Sequence, residues 1–152
     1  MIDINIEKDL IGADGKFQLQ VSFKVDKNEF LCLFGKSGSG KTTILRSLAG
    51  LETPDKGTIK VGNDVWFDSE KKINLPVQRR RIGFVFQNYS LFPNMTVAEN
   101  LGYAMDKKDK AKISDLLETV ELTELKDRYP ATLSGGQQQR VAVARALARD
   151  PE

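Results

Sequence analysis

The chain has 152 residues, enough for one ordinary domain with a core of its own, and its 40% hydrophobic and 29% charged residues are those of a globular protein. A formal charge of +2 is too mild to argue for a nucleic-acid binder on bulk electrostatics alone, and the absence of histidine excludes imidazole acid–base and imidazole metal chemistry. The single cysteine can form no internal disulfide, no apolar run approaches the roughly 18 residues of a membrane span, and the opening MIDINIEKDL does not read as a signal peptide, so a reducing, cytoplasmic setting is expected.

Alternation in IDINIE and in FQLQVSFKV, where Phe17, Leu19, Val21, Phe23 and Val25 share a face, predicts two half-buried antiparallel strands. The run Phe30–Phe34 is continuously apolar, which predicts a strand buried on both faces of a parallel sheet with Cys32 as a small buried hydrophobe. A helix follows, with Ile44, Leu45, Leu48 and Leu51 on one face and Gly50 with Pro54 marking its exit. Strand patterning returns around the Gly62-Asn63-Asp64 turn, and a second apolar strand is expected from Ile82 to Phe86.

From Ser90 to Pro130 the period is helical. TVAENLGYAM follows a Pro93-Asn94 turn, and KAKISDLLETVEL places Ile113, Leu116, Leu117 and Val120 on one face. The run DKKDKAK reads as a solvated helix start, and the last helix should begin near Ser134. Arg79, Arg80 and Arg81, without interleaved aromatics, read as a solvated loop rather than a nucleic-acid contact.

Two stretches carry chemistry. Gly35 to Thr42, GKSGSGKT, lies between an apolar strand pattern and an amphipathic helix and fits G-x-x-x-x-G-K-[ST]. Gly35, Gly38 and Gly40 would allow positive φ and bring backbone N–H groups, with those of Lys36, Ser37 and Ser39, against phosphate oxygens. Lys41 would neutralise β- and γ-phosphates, the Thr42 hydroxyl would coordinate Mg²⁺, and Thr43 would begin the helix proper. In the second stretch, LSGGQ, Ser134 suits an N-cap while Gly135 and Gly136 leave first-turn amides bare, ahead of Gln137.

With the Gln87 of GFVFQNYSLFPNMTVAENL between them, these motifs in this order resemble the ATP-binding cassette family over essentially the whole chain. The resemblance implies an α/β fold: a P-loop NTPase core with an N-terminal antiparallel β-subdomain and an inserted helical lobe. Residues 1–89 would be the β-subdomain and phosphate-loop core, 90–134 the lobe, and 135–152 the signature helix. It implies ATP and Mg²⁺ as ligands. Ser134, Gly135, Gly136 and Gln137 would act in trans on the nucleotide of a second ATPase subunit, and Gln87 would be a catalytic residue reaching the metal and the attacking water. A transmembrane permease subunit would dock on the lobe, placing the protein on the inner face of the membrane. Tyr89, Leu91, Phe92 and Met95 fit either that docking face or the lobe's core. INLPVQRRRIGFVFQ and ENLGYAM resemble importers of molybdate and related oxyanions.

Some family features are missing from these residues. The base-stacking aromatic would fall in LIGADGKF, where Gly12 holds its place and Phe17 is the nearest ring, fitting either stacking or core. The strand with the metal-supporting Asp and catalytic Glu, and the later sensor His, would follow ALARDPE. Without them the chain is expected to bind nucleotide and hydrolyse it little, and to self-associate through an incomplete sheet. A non-catalytic nucleotide-binding fragment and a cytosolic, non-transport ATPase are the alternatives.

Overall fold

The structure, a computed structural model, describes residues 1–12 and 15–151. Ala13, Asp14 and Glu152, the first two within the LIGADGKF stretch, lie outside the described residues. The chain divides into two units, Met1–Arg80 and Arg81–Glu152.

The first unit holds a five-stranded antiparallel sheet in the order β2-β1-β3-β4-β5, formed by Ile2–Gly12 (β1), Gly15–Val25 (β2), Lys56–Val61 (β3), Asp64–Asp68 (β4) and Ile73–Asn74 (β5). The alternation in the sequence becomes register: Ile4 pairs with Phe23 and Ile59, and Ile6 with Val21 and Gly57. Ile4, Ile6 and Ile59 are buried completely or nearly so, because period-two side chains on three adjacent strands fall on one face. The β3–β4 hairpin turns at Gly62-Asn63 as expected, with Gly62 at φ 58°.

The helix of this unit, Lys41–Ala49 (α1), begins at Lys41 rather than Thr43. Its buried face is Ile44, Ser47 and Ala49, while Leu45 is exposed, contrary to the expected stripe. Gly50 closes the helix at φ 75°, its N–H donating to the Arg46 and Ser47 carbonyls, a left-handed cap that glycine adopts without strain.

The two apolar runs expected as parallel strands are not strands. Phe30–Phe34 and Ile82–Phe86 carry no ladder, and among the described residues every paired strand is antiparallel. Phe30 is 92% and Phe34 100% exposed, and Cys32 is exposed rather than buried. A parallel strand is covered only when neighbours pair with both its edges and helices cover its faces, and here no described strand pairs with either run.

The second unit packs Val97–Ala104 (α2), Lys110–Thr119 (α3) and Gly135–Leu147 (α4) around Val97, Leu101, Leu117, Leu122, Leu133, Val141 and Ala144. Local chemistry sets the helix starts. Thr96 and Glu99 form a capping box at α2, Asp109 accepts from the Ala111 and Lys112 amides at α3, and Ser134 with Gln137 forms a second capping box at α4. Asn100, fully buried, accepts from the Phe92 N–H and donates to the Phe92, Met95 and Thr96 carbonyls, which ties the turn before α2 to the helix.

Of the apolar cluster considered for docking, Leu91 packs against this core. Phe92 instead lies against the exposed Tyr103, with ring centroids 4.5 Å apart.

Candidate nucleotide-binding site

The phosphate-loop residues gather at the N-terminus of α1. Gly38 and Gly40 have φ of 78° and 91°, the left-handed region that side-chain-bearing residues avoid. Gly35 does not share it, contrary to expectation; a Cβ there would stand 2.9 Å from Ser39 Oγ, a contact that turning the serine side chain would relieve. Gly40 is confined as well, since an added Cβ would meet Leu19 Cδ1 at 3.0 Å and Leu10 Cδ1 at 3.5 Å. The first two strands thus abut the loop through apolar side chains.

Lys41 folds back over this loop. Its ammonium donates to the Gly35 carbonyl at 2.8 Å, the Lys36 carbonyl at 2.6 Å and, more weakly, Ser39 Oγ at 3.4 Å. The charge is thereby pinned above the loop instead of swinging on its four-carbon stem. Gly40 offers α1 no side-chain cap and the first turn contains no acidic residue.

The helix N-termini of the chain differ in what satisfies them. In α2 the Glu99 amide is taken by Thr96 Oγ1, and the Val97 and Ala98 amides donate to the Arg128 and Lys126 carbonyls. In α4 Ser134 Oγ accepts only the Gln137 amide, and an added Cβ at Gly135 or Gly136 would meet open space. The first turn of α1, which has no side-chain cap, and the open Gly135 and Gly136 amides of α4 are each the positive end of a helix dipole without an acidic side chain in the turn, which suits an anion.

Gln87 lies in the second unit, exposed in a turn after Phe86. The chain then takes two consecutive left-handed residues, Tyr89 at φ 61° and Ser90 at φ 45°. Phe17 is partly exposed on β2, on the face that carries Leu19, and is not core.

The two oxygen donors expected for a metal are neutral: the Thr42 hydroxyl in the first unit and the Gln87 amide in the second. No group of three or more His, Cys, Asp or Glu comes together among the described residues. That donor set does not fit an all-protein carboxylate cage, and it fits Mg²⁺, which keeps waters and takes phosphate oxygens.

Sequence reasoning missed Arg80. Far from being a solvated loop residue, it is 1% exposed, and its guanidinium donates to the Leu75, Ser47, Leu48 and Trp66 carbonyls and to Asn74 Oδ1 at 2.7–3.3 Å. Ser47 and Leu48 supply C-terminal carbonyls of α1, so a cation meets the negative end of the helix that carries Lys41. Burial draws the Arg80 pKa below the ordinary guanidinium value. The excess of arginines in QRRR was visible; which one turns inward depends on carbonyls spread from five to thirty-three residues away.

The chain matches the family described as ABC transporter over residues 19–152. It belongs to the ABC transporter family. Its structure is correspondingly that of an ABC ATPase cassette: the dimeric structure of an ATP-binding cassette in a post-hydrolysis state, bound to ADP and Pi, matches with a TM-score of 0.80 at 31% identity, covering 99% of this chain and 71% of that one. Among relatives, a molybdenum import ATP-binding protein of Vibrio parahaemolyticus is 44% identical over 138 residues, covering 91% of this chain and 38% of its own length. A sulfate/thiosulfate import ATP-binding protein of Agrobacterium fabrum is 50% identical over 140 residues, covering 87% of this chain and 39% of its own. This ABC chain therefore spans about two fifths of the length of the curated relatives it matches. No helix among the described residues is long and apolar enough to cross a membrane.

Proposed function

We propose that the chain is the nucleotide-binding portion of an energy-coupling subunit of an ABC importer for a tetrahedral oxyanion, of the molybdate or sulfate class. The observation that carries this is the α1 N-terminus: uncapped amides, two left-handed glycines, and an ammonium fastened over the loop by the Gly35 and Lys36 carbonyls. Gly35 to Thr43 would surround the phosphates, with the backbone as donor and Lys41 as the fixed positive charge. Thr42 and Gln87 would supply protein oxygens to Mg²⁺, which when bound screens the phosphate charge. Phe17 offers a ring for the base. Ser134, Gly135, Gly136 and Gln137 would complete the site of a second copy, and a membrane-spanning permease would receive the coupled motion. The oxyanion class rests on the import functions named for the relatives.

Hydrolysis by the 152-residue chain alone should be slow. Phosphoryl transfer depends on positioned metal ligands and an oriented water, and the first turns of α1 and α4 bring no acidic side chain to either anion site. Titration calorimetry with Mg-ATP, alongside a phosphate-release assay, tests both statements. Saturable binding is expected, and Lys41→Ala should weaken it roughly 10- to 100-fold, as for the loss of a charged hydrogen bond. Absence of binding at millimolar Mg-ATP would refute the nucleotide reading, and rapid turnover would refute the slow-hydrolysis one.

A further inference from the structure

The turn that presents Gln87 is held from both sides by a single turn of α4. After it, Arg145 donates through Nη1 to the Ser90 carbonyl and through Nη2 to the Tyr89 carbonyl, both at 2.8 Å. Before it, Gly83 lies so close to α4 that an added Cβ would stand 2.7 Å from the Ala146 carbonyl oxygen and 3.1 Å from its Cβ. Adjacent residues of one helix thus fix the chain four residues before Gln87 and two to three after it.

Tyr89 and Ser90 are the two residues in left-handed conformation, at φ 61° and 45°. Such a pair persists only where the surroundings over-determine it. Their carbonyls are the ones the guanidinium fork grips, and a planar fork with two parallel donors fixes direction as well as distance. The fork is itself steadied: its carbon lies 5.4 Å from the Phe92 ring centroid, and Phe92 is tied to α2 through both its N–H and its carbonyl by Asn100. At its other end α4 carries the Ser134 cap and the bare Gly135 and Gly136 amides.

We propose that Arg145 is a positioning residue that clamps the Gln87 turn to the signature helix, so that the Gln87 amide and the anion-accepting end of α4 keep a fixed relation. The role rests on the nucleotide reading, with Gln87 as a metal contact. Both terminal nitrogens of Arg145 are engaged with the Ser90 and Tyr89 carbonyls, so its influence on the site would run through the turn. It acts by selecting the strained turn, and a single-point cation cannot replace it because two carbonyls must be held at once.

The test compares wild type with Arg145→Met, Arg145→Lys and Gly83→Ala in the full 152-residue chain, using amide hydrogen exchange and ADP affinity with and without Mg²⁺. Tyr89 and Ser90 report the turn directly, since their amides donate to the Phe86 and Asn88 carbonyls. Exchange at these two amides should accelerate about tenfold or more in Arg145→Met, and nearly as much in Arg145→Lys, while amides of Leu101 and Val141 in the core keep their protection. Gly83→Ala should loosen the same two amides from the other side. The Mg²⁺-dependent gain in ADP affinity should shrink in these variants, with Mg²⁺-free affinity unchanged. Unaltered exchange at Tyr89 and Ser90, full rescue by lysine, or equal acceleration throughout α2 and α4 would each overturn the proposal. If the wild type bound no ADP, the nucleotide reading would fail, and exchange alone would still decide whether Arg145 clamps the turn.

Discussion

Replacing Arg80 by methionine removes the guanidinium and keeps an unbranched apolar stem. Five hydrogen bonds disappear, and four buried or partly buried carbonyls, those of Ser47, Leu48, Trp66 and Leu75, lose an ionised donor. The Ser47 and Trp66 carbonyls keep the Gly50 and Leu75 N–H groups as donors, so two acceptors, those of Leu48 and Leu75, are orphaned; at about 1–3 kcal/mol each their loss sums to roughly 2–6 kcal/mol. Two effects reduce this. Methionine spares the desolvation of a buried cation, which is worth several kcal/mol, and water can reach the carbonyls at the partly buried positions. The net expectation is a loss of about 3 kcal/mol, equivalent to about 6–12 °C in Tm for a chain of this length.

Urea unfolding followed by fluorescence of Trp66, the single tryptophan, is the direct assay, because its ring centroid lies 5.6 Å from the Arg80 guanidinium carbon and reports the same unit. Arg80→Lys should recover less than half of the loss, since one ammonium cannot span α1, β4 and β5 together. A change below about 0.5 kcal/mol in Arg80→Met, the size expected of an ordinary surface substitution, would refute the assignment of Arg80 as the internal anchor of α1.

Gly57→Ala should unfold the sheet locally: Gly57 has φ 106°, and its added Cβ would overlap the Asn5 carbonyl oxygen and stand 2.9 Å from Ile6 Cα, so a loss of about 3 kcal/mol or more is expected in urea unfolding. Glu99 is held below the ordinary carboxylate range, first by the backbone N–H of Thr96 and then by the Thr96 side chain, with Lys108 adding a small share. Its folded pKa being depressed, the α2 cap contributes fully above the unfolded value and is lost as pH falls through the folded one; carboxyl NMR should find Glu99 titrating at lower pH than a model glutamate, and Thr96→Ala should move it back up.

What the sequence made legible was local. Alternation set the pairing of Ile2–Gly12 with Gly15–Val25, and Thr96, Asp109 and Ser134 announced three helix starts because a cap needs only residues within one turn of itself. The left-handed glycines Gly38 and Gly40 were legible for the same reason, although Gly35 does not share their φ. Non-local pairing was not legible. Phe30–Phe34 has the composition of a central strand, but composition does not supply the neighbouring backbone that makes it one. Arg80 and Arg145 escaped notice because their partners are carbonyl oxygens, which every residue carries and which therefore leave no mark in a sequence.

Arg80, which is buried, and Arg145, which is half-buried, act through position more than through charge. The α1 helix has nine residues, about 13 Å at 1.5 Å per residue, so the Arg80 guanidinium at its C-terminal end is separated from a phosphate at the other by on the order of 14 Å or more. Across that distance two unit charges interact by about 1 kcal/mol at an effective dielectric of about 20, and by about 0.3 kcal/mol in water. The anchoring contribution of about 3 kcal/mol is larger than either value. Lys41, fastened to the loop itself, is therefore the charge that an anion would feel, and Arg80 is the reason that α1 stays where Lys41 and the bare amides can face one. Removing Arg80 should be felt as a loosened helix, and removing Lys41 as a lost attraction.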